Sequence, residues 1–366
     1  MKLICTQENL KTGLAVVGRI ISSTNTLPIL SNVLIKTENG MLKISSTNLE
    51  IGITTSVRCK VEEDGEITVA SKTFIDLVNN LPNKNIVLEK RNDELLIESE
   101  NYHTKLKTLP PEDFPIIPKI EDGKDYKFDA QEVKQAIDQV VFAASTNQTQ
   151  PEISGILFAV NGSGLRVVAT DRYRLAERKV DNVLKDSLET EVIIPQKTVM
   201  EISRIIGSQK GELDMVFSET QVVITFGDSQ IVSRLVDGQY PDYRQIIPAS
   251  FNNTSIAPKS QLVSALRAAA VFGHASNSVQ VIFDPEKQQI LLSSGLTDLG
   301  DSTVEVPAKI EGVGSSLILN HHYLLDCLSV INSENVIIKT IDDNSPSLIL
   351  PENKNNYIYL VMPIKS

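Results

Sequence analysis

Residues 39–48 read NGMLKISSTN, an Asn-Gly turn followed by a strand of alternating apolar residues. The same pattern returns as SGLRVVATD at residues 163–171 and, more weakly, as QILLSSGL at residues 289–296. Thr47 and Thr170 are 123 positions apart, and Ser294 follows Thr170 by 124. Because this period is much longer than that of a solenoid unit, each copy is predicted to be a domain with its own core.

A second sequence motif recurs with nearly the same period as the first. SKTFIDL at residues 71–77 is echoed by QKTVMEI at 196–202 and by NHHYLLD at 320–326, with spacings of 125 and 124 positions. Three such repeats account for nearly all 366 residues. Polar stretches that follow proline-rich segments near residues 122 and 252 are typical of linkers. The predicted domains are therefore 1–122, 123–251 and 252–366.

Each repeat shows the same order of predicted elements. It opens with a helical pattern, continues with a hairpin and further strands, and has a second helix at the second motif. Asp129 and Glu132 have the spacing of a capping box at the start of a helix. Ser71 and Asn320 carry side chains that are favoured at an N-cap, whereas Gln196 does not. Runs of strands between single helices favour an α+β fold, with helices on one face of antiparallel sheet.

Charge and composition restrict the class of protein. The formal net charge is −11, so the chain would be repelled by DNA unless its positive charge is confined to one surface. The N-terminus lacks the apolar core of a signal peptide, and no apolar run approaches the roughly 20 residues that span a membrane. The cysteines, Cys5, Cys59 and Cys327, form no CxxC pair, which predicts reduced, buried thiols in a cytosolic protein.

Signals for catalysis are weak. Asp342 and Asp343 are the best candidates for metal ligands, but their place before Ser345 and Pro346 is typical of an exposed turn. The adjacent residues His321 and His322 would point about 100 degrees apart on a helix. We therefore predict no catalytic residue, metal or cofactor. The alternative from the enzyme class is a metal-dependent nuclease that uses the two aspartates.

Basic residues mark the predicted helices. They are Lys11, Arg19, Lys72, Lys134, Lys197, Arg204, Lys259 and Arg267. Lys72 and Lys197 occupy the same place in successive repeats. If the helices share one surface, the repeat would space these cations regularly, as phosphate contacts without base recognition require. The alternative is that they only decorate exposed helix faces, because acidic residues lie on the same segments.

The last apolar segment, YIYLVMPI at residues 357–364, lies close to the end of the sequence given. A final strand that completes the third domain accounts for Ile358 and Leu360. Met362, Pro363 and Ile364 are instead predicted to line an exposed groove, because a surface apolar patch commonly marks a protein-binding site.

Four motifs in this order on a threefold repeat carry a resemblance to a known family. They are TLPIL at 26–30, ATD at 169–171 with RLA at 174–176, LVDG at 235–238 with YPDY at 240–243, and VMP at 361–363. Over its whole length the chain resembles the bacterial DNA polymerase III β subunits, the processivity sliding clamps. The resemblance implies a head-to-tail homodimer that closes into a ring around duplex DNA, with sheets outside and helices lining the hole. It implies a cytoplasmic, nucleoid-associated protein that tethers the polymerase III α subunit, the clamp loader, and other polymerases and repair proteins through short peptides.

The resemblance also implies which residues have these roles. DNA contacts would include Lys72, Lys197 and Asn147. The partner-peptide pocket would use Ile153, Thr170, Arg172, Leu175, Pro241, Ile246, Asn320, Tyr323, Pro346, Val361, Met362, Pro363 and Ile364. The dimer interface would pair Leu106 of one subunit with Val271 and Phe272 of the other.

The sequence departs from the family pattern at three places. Thr24 and Asn25 stand where a basic residue often precedes the TLPIL motif. Arg172 and Tyr173 stand where a small residue and a histidine are frequent, and Gln245 replaces a frequent arginine. The changes near the pocket are expected to alter peptide preference and to leave its apolar subsites intact. The third interpretation of the sequence is a peptide-binding scaffold that never contacts DNA.

Overall fold

The computed structural model describes residues 1–21, 27–118, 120, 122–181, 189–271, 277–294 and 300–364. The α-helices of this part of the chain are α1 Gln7–Val17, α2 Ser71–Asn80, α3 Ala130–Val140, α4 Pro151–Ser154, α5 Gln196–Ile206, α6 Lys259–Ala270 and α7 His321–Val330. The strands of the first repeat are β1 Lys2–Thr6, β2 Asn32–Glu38, β3 Met41–Thr47, β4 Ile51–Val57, β5 Lys60–Glu63, β6 Glu66–Ala70, β7 Asn85–Arg91, β8 Glu94–Ser99 and β9 Tyr102–Leu109.

The other two repeats supply the remaining strands. Those of the second repeat are β10 Lys124–Asp129, β11 Gly155–Asn161, β12 Gly164–Thr170, β13 Arg174–Val180, β14 Thr190–Pro195, β15 Glu212–Phe217, β16 Gln221–Phe226 and β17 Ser229–Arg234. Those of the third are β18 Asn253–Pro258, β19 Ser278–Asp284, β20 Gln289–Ser293, β21 Thr303–Pro307, β22 Lys309–Gly312, β23 Ser315–Asn320, β24 Asn335–Thr340, β25 Ser347–Pro351 and β26 Tyr357–Val361.

The helix starts follow local capping chemistry, with one correction to the sequence prediction. The Asp129 carboxylate accepts a hydrogen bond from the Gln131 N–H at 2.9 Å, and the Asn320 side chain accepts one from the His322 N–H at 2.9 Å. Ser71 was a predicted cap residue, but Ala70 occupies the N-cap position and Ser71 is the first, buried residue of α2. Burial of this short side chain beneath the helix outweighs its intrinsic preference for the cap.

The Asn-Gly hairpins form as predicted. Between β2 and β3, Asn39 and Gly40 have φ values of 53° and 74°, and Glu38 pairs with Met41. Positive φ at both central residues gives the turn a twist that matches the flanking strands. Between β11 and β12, the Asn161 side chain accepts a hydrogen bond from the Ser163 N–H at 3.0 Å.

One compact unit contains Met1–Gln131 and Met200–Leu235. Its strands form a sheet in the order β10-β15-β16-β17-β4-β3-β2-β6-β9-β8-β7-β1-β5. On β3, Leu42, Ile44 and Ser46 are buried, and the Ser46 hydroxyl donates to the Val17 carbonyl at the end of α1. The opposite face of β3 is half-buried, so α1 covers one face of the sheet in the first repeat, as predicted.

The second compact unit contains Glu132–Val199 and Val236–Ser366. Its larger sheet has the order β14-β11-β12-β13-β26-β25-β24-β18-β22, and a smaller sheet has the order β21-β20-β19-β23. Both faces of β13 are covered. Leu175 packs in an apolar cluster with Leu348, Leu360 and Tyr243, while Arg178 on the other face is 1% exposed and pairs with Glu132 of α3 at 3.0 Å.

The strand pairing explains why these compact units differ from the repeats. Strands β10 and β15–β17 of the second repeat belong to the first unit, whereas β11–β14 belong to the second. All strand pairs in the described residues are antiparallel, in agreement with the predicted α+β class. The boundaries at 122 and 252 remain predictions, because compactness alone does not follow the sequence repeat.

The hairpin between β11 and β12 gives a test of close packing. Gly164 has φ 141°, and a Cβ there would lie 2.2 Å from the Val180 carbonyl oxygen. Gly40 also has a positive φ, 74°, but a Cβ there would meet nothing within 4 Å. Gly164→Ala is expected to lower the free energy of unfolding by about 2 kcal/mol or more, and Gly40→Ala by about 1 kcal/mol. Urea denaturation of both variants would measure the difference, and equal losses would contradict the steric explanation.

Candidate partner-binding and DNA-contact residues

The turn between β12 and β13 is held by its own side chains. The Thr170 hydroxyl donates to the Arg174 carbonyl at 2.7 Å and accepts from the Arg172 N–H at 3.2 Å. The Asp171 carboxylate accepts from the backbone N–H groups of Tyr173 and Arg174, both at 3.0 Å. Arg172 takes a left-handed φ of 78°, which is unusual for a residue with a long side chain. These bonds present the Arg172 and Tyr173 side chains to solvent.

The segment after β26 lies beside this turn. The Met362 N–H donates to the Tyr173 carbonyl at 2.8 Å, and the Ile364 N–H donates to the Ile318 carbonyl of β23 at 2.8 Å. Pro363 lies between them and has no N–H to satisfy. Met362 and Pro363 are half-buried, and Ile364 is 41% exposed. The predicted apolar segment therefore has a fixed backbone and accessible side chains.

Arg174 joins the turn to α7. Its guanidinium donates to Asp171 at 3.0 Å, to Asp326 at 2.6 Å and to the Phe142 carbonyl at 2.8 Å, and it lies 4.2 Å from the centre of the Tyr323 ring. Burial alone would lower the pKa of Arg174, but the hydrogen bond that its guanidinium donates to Asp326 and the other neighbouring groups raise this pKa above its usual value. The charged Arg174 guanidinium therefore holds the Tyr323 ring of α7 next to the turn.

The loop with Pro241 and Ile246 is anchored by two tyrosines. Tyr240 and Tyr243 are 9% and 5% exposed and belong to the same apolar cluster as Leu175 and Leu360. The Tyr243 hydroxyl donates to the buried carboxylate of Glu177 at 2.5 Å, and burial together with this bond raises the pKa of Tyr243. Pro241 and Ile246 remain exposed at the surface of the loop.

The thirteen residues predicted for the pocket divide into a buried group and an accessible group. Ile153, Thr170, Leu175 and Val361 are each less than 9% exposed. Asn320 caps α7, Pro346 precedes β25, and both are half-buried. Register pairs Val361 with Arg174 and with Ser347, the residue after Pro346. The strands therefore bring Thr170–Leu175, Pro346 and Val361–Ile364 together, and Ile153 lies on α4, which packs against β12, the strand that ends at Thr170.

The predicted DNA-contact residues are exposed. Lys72 and Lys197 are the second residues of α2 and α5, and no carboxylate of the described chain lies within 4.0 Å of either ammonium. A cation near a helix N-terminus is unfavourable by about 0.3–1 kcal/mol, so these positions are not explained by helix stability. Asn147 is also exposed, and its side chain accepts from the Thr149 N–H at 3.1 Å and from the Thr149 hydroxyl at 2.8 Å.

The other helix cations differ in their environments. Lys134 pairs with Asp138, Arg204 with Glu201, and the Lys259 ammonium donates to the Ile331 carbonyl. In the first unit, Lys11, Arg19 and Arg204 line one cleft of about 640 Å³, together with the polar residues Gln7, Thr12 and Gln209. The sequence identified these cations but gave no sign that three of them share a cleft.

The predicted interface residues lie at surface positions. Leu106 is half-buried on β9, whose residues 102–107 pair only with β8 among the described strands. Val271 follows α6 and is 55% exposed. Phe272, Thr24 and Asn25 lie outside the described residues.

The chain is similar to known proteins along its whole length, and this similarity identifies its family. Family models for the DNA polymerase III beta subunit match along the chain: the N-terminal domain at residues 1–118, the central domain at 127–242 and the C-terminal domain at 244–365. The chain belongs to the DNA polymerase III β subunit family. Members of this family are sliding clamps, so the chain is a DNA sliding clamp, a processivity factor of replication, and not an enzyme.

Individual relatives agree over their whole length. The beta sliding clamp of Synechococcus elongatus is 31% identical over 374 residues, which cover 100% of this chain and 99% of the relative. The crystal structure of the DNA polymerase III subunit beta from Pseudomonas aeruginosa has a TM-score of 0.96 at 28% identity, with 100% of both chains covered. The sliding clamp from Bacillus subtilis gives 0.95 at 26% identity and covers 100% of this chain and 99% of that chain. The prediction of three clamp domains is confirmed.

The nuclease alternative does not hold for this family. The Asp342 carboxylate accepts from the N–H groups of Asn344 and Ser345, and these bonds lower its pKa. Asp343 accepts from the Ser316 N–H at 3.0 Å. Contrary to the expectation from helix geometry, the His321 and His322 rings approach to 4.1 Å between centroids. Within the described part of the chain, no three metal-ligating side chains form a cluster, and no helix is long and apolar enough to cross a membrane.

The hydrogen bond from Tyr243 to Glu177 is expected to stabilise the loop of residues 240–247. Tyr243→Phe removes the hydroxyl and leaves a buried carboxylate with one partner fewer, so we expect a loss of about 1–3 kcal/mol in the free energy of unfolding. Hydrogen exchange of residues 240–247 should accelerate in parallel. Gln245→Ala is the control, since Gln245 is exposed and donates only to Asp242 in the same loop. Unchanged exchange in Tyr243→Phe would show that packing alone fixes the loop.

Proposed function

We propose that two copies of this chain join head to tail into a closed ring around duplex DNA and tether replication and repair proteins to it. The observation that carries the proposal is the match to all three domain models of the clamp family along one chain. A ring resolves the conflict between the net charge of −11 and a function on DNA, because a topological link does not require tight binding. Its place of action is the chromosomal DNA in the cytoplasm.

The DNA side of the proposal rests on Lys72, Lys197 and Asn147. The two lysines are exposed, unpaired within the described residues and equivalent in successive repeats. They would contact phosphates without reading bases, which permits sliding. Each neutralised phosphate steepens the salt dependence of binding by about 0.9 in the log–log slope. Four lysines in a dimer would therefore give weak, salt-sensitive attraction and no sequence preference.

The partner side of the proposal is the surface formed by the accessible group of pocket residues. Met362, Pro363 and Ile364 would form one wall, and Pro241 with Ile246 another, above a floor of Leu175 and Val361. Arg172, Tyr323, Asn320 and Pro346 would border it, and Ile153 and Thr170 would support the floor. The polymerase III α subunit, the clamp loader and other partners would insert short apolar peptides, a mode in which few anchors supply most of the binding energy. The buried floor favours a preformed site, which lowers the ordering cost of binding.

The dimer contact is proposed at Leu106 of one copy and Val271 with Phe272 of the other. Such a contact joins two different surfaces, so it must close a ring or continue as a filament. The open stretch of β9 beside Leu106 supports this choice, because exposed strand edges readily pair with another chain. We retain 122 and 252 as the proposed domain boundaries.

The ring is tested by retention on nicked circular DNA, with the cognate clamp loader and ATP. The clamp should stay on the circles after gel filtration and should be lost when a restriction enzyme linearises them. Equal retention on both forms would mean ordinary electrostatic binding. Lys72→Glu with Lys197→Glu should reduce loading or weaken the salt-sensitive contact with DNA, whereas Lys354→Glu, at an exposed loop residue, should not. Retention on neither form, together with no effect of the lysine changes, would favour the scaffold that never meets DNA.

The pocket is tested with Met362→Ala. Removal of this half-buried side chain should weaken binding of the cognate polymerase α subunit several-fold, or about 1 kcal/mol. Adding Leu175→Ala should weaken it further, but Leu175 is 1% exposed and its loss would also reduce stability. Thermal unfolding of each variant separates the two effects. Calorimetry that finds unchanged affinity for Met362→Ala would show that the pocket lies elsewhere.

A further inference from the structure

The turn between β3 and β4 repeats the turn between β12 and β13 bond for bond. The Thr47 hydroxyl donates to the Ile51 carbonyl at 3.0 Å and accepts from the Leu49 N–H at 3.1 Å. The Asn48 side chain accepts from the N–H groups of Glu50 and Ile51 at 3.0 and 2.8 Å. Leu49 has φ 75°, against 78° for Arg172, which lies 123 positions later. The first repeat therefore builds the same turn with an apolar side chain at its tip.

The strand beside this turn is also equivalent. β17 pairs with β4 as β26 pairs with β13, so Ser233 faces Ile51 as Val361 faces Arg174. The Arg234 N–H donates to the Glu50 carbonyl at 3.1 Å, which matches the bond from Met362 to Tyr173. Arg234 thus occupies the place that Met362 has in the proposed partner pocket.

A proline-bounded loop completes the likeness. The loop of the first repeat has a buried aromatic residue, Phe114, which is 7% exposed. The loop of the second repeat has Tyr243, which is 5% exposed. Two residues after Phe114, Ile116 is 92% exposed, and three residues after Tyr243, Ile246 is 49% exposed. Ile117 packs over Gly52, where a Cβ would lie only 2.8 Å from its Cγ2 atom. Gly52 corresponds to Leu175, so Ile117 fills part of the space that a larger residue occupies in the second repeat.

These elements enclose a cavity of about 320 Å³ within the first compact unit. Its lining is Thr47, Leu49, Glu50, Ile51, Gly52, Pro115, Ile116, Ile117, Pro118, Gln221, Val232, Ser233 and Arg234. Leu49 is 49% exposed, so the cavity has accessible apolar walls as well as an exposed cation. Among the described residues, no carboxylate lies within 4.0 Å of the Arg234 guanidinium, including that of Glu50 in the same lining. A cavity of this volume can hold one or two apolar side chains.

We propose that this cavity is a second docking site, for a short extended peptide that carries a bulky apolar anchor next to an acidic residue. Leu49, Ile116 and Ile117 receive the anchor, and Arg234 binds the carboxylate. Glu50 in the turn between β3 and β4 disfavours a second acid and accepts a neutral or basic residue there. The site goes beyond the proposed function, because a peptide selected for its charge would not compete with one held by Met362. A dimer would then offer four docking sites of two kinds.

The experiment uses the full chain with labelled isoleucine δ1 methyl groups. The probes are the peptides acetyl-Gly-Asp-Leu-Leu-Gly-Ser-amide and its counterpart with Lys in place of Asp. The methyl resonances of Ile116 and Ile117 report on the second site, and those of Ile246 and Ile364 report on the partner pocket. We expect the Asp peptide to shift Ile116 and Ile117 with saturation, and to bind there at least about fivefold more tightly than the Lys peptide.

Two variants separate the outcomes. Leu49→Asn keeps a residue that tolerates positive φ and removes the apolar tip. It should abolish the response at Ile116 and Ile117 and leave the resonance of Ile246 as it is in the unsubstituted chain. Arg234→Glu should reverse the preference toward the Lys peptide. Shifts at Ile246 and Ile364 without any at Ile116 and Ile117 would overturn the second site and leave the partner pocket standing. Equal binding of the two peptides at Ile116 would overturn the proposed occupant, and silence at all four methyls would count against both sites.

Discussion

The structure depends on one pairing constraint: the last strand of a repeat pairs with the fourth strand of the repeat before it. β17 ends the second repeat and pairs with β4, and β26 ends the third repeat and pairs with β13. An unpaired strand edge exposes a row of N–H and C=O groups, so each pairing satisfies backbone groups that a separate domain would leave open. The same constraint explains why the compact units cut across the sequence repeats.

Both proposed docking surfaces lie where such a pairing ends. A turn with one residue at positive φ follows the strand before the pairing, and the chain that leaves the last strand binds that turn through one N–H. The backbone arrangement is thus fixed by hydrogen bonds within the fold, while the side chains at its edge are free to differ. At the turn of the second repeat these side chains include Arg172 and, from the third repeat, Met362. At the turn of the first repeat they are Leu49 and, from the second repeat, Arg234. One backbone pattern can therefore support two binding chemistries.

Much of this could be predicted from the sequence, and the failures have physical causes. Asn39 and Gly40 determine their hairpin locally, because the turn needs two residues that tolerate positive φ. The repeat period located Lys72 and Lys197 at equal helix positions. Alternation predicts which side of a strand is buried but not which strand lies beside it, so the pairing of β26 with β13 cannot be predicted from the sequence. Glu177 and Arg178 look like surface residues in the sequence, yet Tyr243 and Glu132 allow both to be buried. Such partners are distant in the chain and leave no periodic signal.

The pairing rule has an arithmetic consequence for a chain of three repeats. Every repeat has one final strand and one fourth strand. The two pairings within the chain, β17 with β4 and β26 with β13, use two final strands and two fourth strands. The final strand of the first repeat, β9, and the fourth strand of the third, β21, are the members left over. Residues 102–107 of β9 pair only with β8, and β21 only with β20, among the described strands. A single chain therefore leaves two strand edges of different kinds open. Two chains that paired β9 of each with β21 of the other would close a cycle of six equivalent strand pairings.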